Sequence, residues 1–125
     1  PLLGERFHRE IIPLELIDSR FYHLDTCLCP LSGGELLYFP AAFDHYGREV
    51  LAARVPTERH LVVPEDEALK FACNAVCVEK HVVLPAGCPT TEGLLRERGY
   101  DTHAVQLDEF MKSGGSAKCL TLVLD

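Results

Sequence analysis

Residues 74–105, NAVCVEKHVVLPAGCPTTEGLLRERGYDTHAV, read as strand, turn, strand, helix, strand. The turn falls at Glu79-Lys80, between two runs rich in Val and Leu. Pro89 opens the helix, with Thr90 or Thr91 as the expected N-cap, and Gly99 sits where a helix C′ residue belongs. Two strands, a helix and a third strand make a ββαβ unit.

Upstream, residues 21–63 follow the same plan. FYHLDTCLCPL (21–31) alternates as a strand does, with Tyr22, Leu24, Thr26 and Leu28 on one side and His23, Asp25, Cys27 and Cys29 on the other. Ser32-Gly33-Gly34 is a hairpin signal, and ELLYFPAAF returns as a second strand ended by Pro40. His45 to Val55 has helical spacing, weakened by Gly47, and RHLVV is a short strand closed by Pro64. IIPLELI (11–17) reads as an edge strand or strand start because of Pro13. EDEALKFA carries acids at its N-terminal end, as a helix dipole favours. Glu109 to Ser113 is a helical turn broken by Gly114-Gly115, and CLTLVL (119–124) is a closing strand. Alternating strands and helices place the fold in the α/β or α+β class, with two copies of a ββαβ unit.

Composition bounds the function. A chain of 125 residues fits one domain, residues 1–125, or a portion of a larger one, and 47% apolar with 25% charged residues excludes a disordered chain. Twelve basic against 19 acidic residues give a net charge of -7, which argues against nucleic acid as a partner. No apolar run reaches the ~18 residues of a membrane span. PLLGERFHRE lacks the basic and apolar regions of a signal peptide, so a cytoplasmic location is expected. Cys27-x-Cys29 and Cys73-x-x-x-Cys77 depart from paired C-x-x-C zinc spacing, so no metal is expected. Cys27, Cys29, Cys73, Cys77 and Cys88 read as buried free thiols.

Two segments can carry chemistry. In FYHLDT, His23 and Asp25 at i, i+2 on a strand would reach one small cavity, where imidazole moves protons near neutral pH. The same spacing also suits a hydrogen-bonded surface pair. In EFMKSGGSAKCLTLVL, Gly114 and Gly115 let backbone approach a ligand, and Ser116 completes the turn. Leu120, Leu122 and Leu124 would face the core and Cys119 the other side, at a strand end. Such a thiol is a reachable nucleophile, or a structural thiol.

Together the two segments resemble the motifs of the guanidine-modifying enzymes: arginine deiminase, dimethylarginine dimethylaminohydrolase, arginine dihydrolase and the amidinotransferases. YFPAAFD, FACNAV and GY add to the likeness, which runs from about Ile11 to Leu124 and points to the C-terminal part of such an enzyme. The resemblance implies a five-bladed α/β propeller (the pentein fold), with about two blades in this chain. It implies Cys119 as nucleophile, His23 as general acid and base, and Asp25 as the carboxylate that holds the guanidinium or supports the imidazole. Gly114, Gly115 and Ser116 match the substrate-side loop beside the nucleophile. It implies a small guanidino substrate, no cofactor, and either a homo-oligomer or an N-terminal half supplied separately.

Two other functions fit parts of the sequence: a non-catalytic subunit or interaction module that keeps the blade architecture, and a thiol-rich metal or redox protein. His8, His45, His60, His81 and His103 read as surface or edge residues, and Lys112 and Lys118 as solvated side chains. Asn74 falls at a position that recurs in the family and reads as a turn or blade-capping residue.

Overall fold

Tight turns at 32–34 and 79–80 fold their flanking apolar runs into antiparallel hairpins. The computed structural model describes residues 2–124. After a short exposed helix, α1 (Leu2–Phe7), the chain reaches β1 (Leu28–Pro30) and β2 (Leu36–Tyr38), paired with Cys29 opposite Leu37. Helix α2 (His45–Arg54) carries the chain to β3 (His60–Val62), which pairs in parallel with β2. A short helix, α3 (Glu65–Ala68), leads to the second unit. There β4 (Val76–Val78) and β5 (His81–Pro85) form the hairpin, α4 (Pro89–Glu97) crosses, and β6 (Asp101–Val105) pairs in parallel with β5. Helix α5 (Asp108–Met111) follows. Both sheets have their strands in sequence order, so the two ββαβ units are present as the sequence suggests.

The units share one apolar core. Leu37, Phe43, Val63, Cys27 and Phe21 from the first join Val82, Leu84, Leu95, Cys73 and Cys88 from the second. Val82 and Leu84 lie on the buried face of β5, and Leu95 supplies the buried stripe of α4. Gly33 N–H donates to the Tyr100 hydroxyl at 2.8 Å, and that hydroxyl donates to Glu35 at 2.5 Å, so polar contacts also join the units.

Helix ends explain where the chain turns. Gly99, at φ +84°, closes α4 with Tyr100 N–H on the Leu95 carbonyl and Gly99 N–H on the Arg96 carbonyl. At the other end of α4 the expected Thr caps do not cap. The Glu67 carboxylate, from α3, accepts from the N–H groups of Thr90 and Thr91, each at 2.8 Å, and from the Thr91 hydroxyl at 2.6 Å. A carboxylate at a helix N-terminus is stabilised by the unpaired N–H groups there. Burial alone would raise the Glu67 pKa, but these hydrogen bonds outweigh it and the carboxyl ends below its ordinary value.

Three further expectations fail. Residues 11–17 form no strand beyond one bridge, Leu16 to Phe43. Residues 21–27 are not a strand, because the Thr26 hydroxyl and N–H both bond back to the His23 carbonyl and wind Leu24–Thr26 into a 3-10 turn. CLTLVL is not a strand either. Thr121 bonds back to the Lys118 carbonyl through its N–H and hydroxyl, and Lys118–Leu120 is a 3-10 turn. Its leucines are not core: Leu122 is 83% and Leu124 82% exposed. His60, expected at the surface or an edge, does open the edge strand β3; it is half-buried, and its ring bonds the Tyr38 hydroxyl and the Val55 carbonyl.

Candidate active site

The site is built where the 21–27 turn meets the 113–120 turn. Helix α5 ends as α4 does: Gly115 N–H bonds the Phe110 carbonyl and Gly114 N–H the Met111 carbonyl, with Gly114 at φ +81°. The Tyr22 hydroxyl donates to the Gly114 carbonyl and packs where a Cβ at position 114 would stand. Glycine is therefore required there twice over, by its φ and by the close approach. Beyond it, Ser116 and Ala117 are buried, and the 3-10 turn presents Cys119 to solvent.

His23, Cys119, Tyr22, Phe110, Ser113, Gly114 and Gly115 line one open cleft of about 530 Å³. His23 has extended backbone geometry, and its ring lies edge-on to Tyr22 with centroids 5.0 Å apart. Asp25 sits in the 3-10 turn behind His23. Its Oδ2 lies 3.9 Å from the Cys119 sulfur, and its Oδ1 is buried without a partner among the described residues. The fold thus brings His23, Asp25 and Cys119 together, although neither segment is the strand the spacing suggests. Gly114 and Gly115 face the cleft, whereas Ser116 is fully buried and lies beneath the turn.

Two residues beyond those expected complete the site. Tyr22 props the glycine turn. Asn74, fully buried, accepts through Oδ1 from the N–H groups of Ser116 at 3.1 Å and Cys119 at 3.2 Å. Its Nδ2 donates to the Asp25 carbonyl at 3.0 Å. The visible signals were their neighbours: Tyr22 precedes the HLD segment, and Asn74 stands in FACNAV.

The other thiols are different. All six cysteines are free. Burial pushes Cys27 up to about 12 and Cys29 and Cys88 up to about 11, and drives Cys73 well above the ordinary thiol value. Cys77 is only half-buried, a correction to its expected burial. Among the described residues, no group of three or more His, Cys, Asp and Glu side chains converges to hold a metal.

No family model matches the chain. It is similar to the bifunctional arginine dihydrolase/ornithine cyclodeaminase ArgZ of Synechocystis sp., at 48% identity over 122 residues, 98% of this chain and 17% of that protein. It is also similar to the N(G),N(G)-dimethylarginine dimethylaminohydrolase of Mycobacterium tuberculosis, at 41% identity over 112 residues, 90% of this chain and 36% of the relative. A crystal structure of the N-terminal domain of ArgZ covalently bound to a reaction intermediate superposes with a TM-score of 0.95 and 48% identity, covering 98% of this chain and 45% of that one. The chain therefore spans less than half the length of each of these proteins. The expected assignment to a C-terminal part is corrected, since the match is to the N-terminal domain of the bifunctional protein.

Proposed function

The chain belongs to the guanidine-modifying superfamily of arginine dihydrolase and dimethylarginine dimethylaminohydrolase, and from that premise we propose that it carries the cysteine side of a guanidino hydrolase. The observation that carries this reading is that Cys119 and His23 line one solvent-open cleft while Asp25 Oδ2 stands 3.9 Å from the Cys119 sulfur. That a similar domain has been captured as a covalent intermediate supports it.

A guanidinium carbon is a poor electrophile because its charge is spread over three nitrogens. It calls for a strong nucleophile and for carboxylates that hold its planar N–H groups. The Cys119 thiolate attacks the carbon, and a C–S bond forms. His23 donates a proton to the departing nitrogen as the C–N bond breaks, leaving a thiouronium on Cys119. Water then adds to the same carbon while His23 takes its proton. The C–S bond breaks, thiolate returns, and the products are a urea group and ammonia or an amine. Asp25 holds the cation against the sulfur, and Gly114 and Gly115 let the turn lie close to the substrate. The residues in these roles need no cofactor.

The superfamily fold completes the picture. The two ββαβ units are two blades of a five-bladed propeller, and the remaining blades, or a second copy of the chain, cover the apolar 122–124 segment. The six free thiols suit a reducing compartment, and a cytoplasmic location belongs to the same proposal. Incubation with L-arginine, followed by intact-mass analysis and assays for ammonia and ureido product, tests the reading. A covalent adduct on Cys119, absent from Cys119→Ser, supports it; an unmodified Cys119 with no product contradicts it.

The exposed apolar surface favours a second reading, a non-catalytic interaction module. Leu122, Leu124 and Val78 are all largely exposed, Val78 and Val123 line one depression, and exposed apolar surface of this kind marks a protein contact. A monomer that turns over substrate would exclude it.

A further inference from the structure

We infer that Asn74 is a positioning residue, whose buried carboxamide ties the Cys119 turn to the Asp25 segment and so sets the thiol against the carboxylate. The inference rests on the reading of Cys119 and Asp25 given above and adds to it the part that holds them in register.

Asn74 uses every polar group it has. Its N–H bonds the Phe71 carbonyl at 2.9 Å, and its carbonyl accepts from Lys118 N–H at 3.0 Å. Its Oδ1 accepts from Ser116 and Cys119, and its Nδ2 donates to Asp25. A residue that merely capped its own blade would bond within that blade. The side chain of Asn74 instead bonds two segments that lie 42 to 49 residues away on either side.

The geometry has a direct chemical result. Two N–H groups of the turn converge on one buried oxygen, so both are satisfied inward and neither is offered to the cleft. With its N–H pinned inside, Cys119 carries its side chain out toward Asp25 Oδ2. The chain before Asn74 is shaped for this. Phe71 adopts φ +59°, a conformation bulky residues rarely hold, at the bend after α3 that brings Asn74 beneath the site. Only an amide of this length both accepts twice and donates once here. Aspartate keeps the acceptor and loses the donor; alanine loses both.

The test compares Asn74→Ala and Asn74→Asp with the wild-type chain by residue-resolved hydrogen exchange and by Cys119 alkylation. The alkylators are cationic 2-chloroacetamidine and neutral 2-chloroacetamide. In Asn74→Ala, exchange at the Ser116 and Cys119 amides should accelerate about 10-fold or more, the loss expected for a buried hydrogen bond. Exchange along β5 and β6 should stay unchanged, and the preference of Cys119 for the amidine should fall by a similar factor. Asn74→Asp should restore protection at Ser116 and Cys119, and it carries the test if the alanine variant does not fold. Unchanged exchange at those two amides in the alanine variant overturns the inference. So does an aspartate variant that leaves them as exposed as alanine does, or a loss spread evenly over β4–β6. A wild-type chain with no amidine preference defeats the hydrolase reading instead, and the exchange data still decide the role of Asn74.

Discussion

The sulfur of Cys119 lies 3.9 Å from Oδ2 of Asp25, although 94 residues separate them in sequence. A nucleophile beside an anion is an arrangement that a planar cation completes, because its N–H groups can satisfy the carboxylate while its carbon meets the sulfur. Asp25→Asn keeps the shape and removes the charge. It is expected to reduce the preference of Cys119 for an amidine alkylator over a neutral one by about 10-fold, the scale of one charge-assisted hydrogen bond. Mass spectrometry of matched labelling time courses measures this. An unchanged preference would remove Asp25 from cation recognition.

Thiol reactivity should follow burial. Under mild neutral alkylation Cys119, which is exposed, should react first and half-buried Cys77 next. Cys27, Cys29, Cys73 and Cys88 should react only on unfolding, since burial both shields them and raises their pKa values. Peptide mapping of partially labelled protein gives the order.

Glu67 links stability to acid. Its folded pKa lies below the ordinary 4.5, so the stabilisation it gives is fully present above that value and is lost as pH falls through the folded value. Glu67→Gln should cost about 1–3 kcal/mol near neutrality, because it weakens three hydrogen bonds to a buried group. The gap between variant and wild type should narrow below pH 4.5. Urea unfolding at several pH values tests both the size and the sign.

Gly114 and Tyr22 form a coupled pair. Gly114→Ala should cost at least about 1 kcal/mol through its positive φ alone, and more through the clash with the Tyr22 hydroxyl. Tyr22→Phe should cost about 0.5–1.5 kcal/mol for the lost hydrogen bond. In the double variant the clash is relieved, so the two costs should add to more than the measured total. A double-mutant cycle by thermal unfolding reads that coupling.

Much of the fold was legible because its signals are local. The Gly33-Gly34 and Glu79-Lys80 turns, the helix ended by Gly99 and the Val-rich strands each carry their own instruction, and the two ββαβ units follow. What failed depended on side chains reaching back or across. Thr26 and Thr121 bond to carbonyls three residues earlier and turn strand-like alternation into 3-10 turns. Glu67 displaces Thr90 and Thr91 as the cap of α4 from 23 and 24 residues away. The candidate site was legible through the motif resemblance rather than through geometry. His23 and Asp25 do lie close to Cys119, but from a turn and at different depths. Asn74 was read as a capping residue because nothing in its neighbourhood shows that its side chain bonds to both motifs at once.

The central claim is that Cys119, His23 and Asp25 make a cation-recognising thiol site. The most direct measurement is intact-mass labelling with 2-chloroacetamidine against 2-chloroacetamide at matched concentration, with each adduct mapped, in the wild-type chain and in His23→Ala. Rapid labelling of Cys119 by the amidine alone, lost in His23→Ala, is the expected result. Slow labelling by both reagents, spread over several cysteines and indifferent to His23, would contradict it.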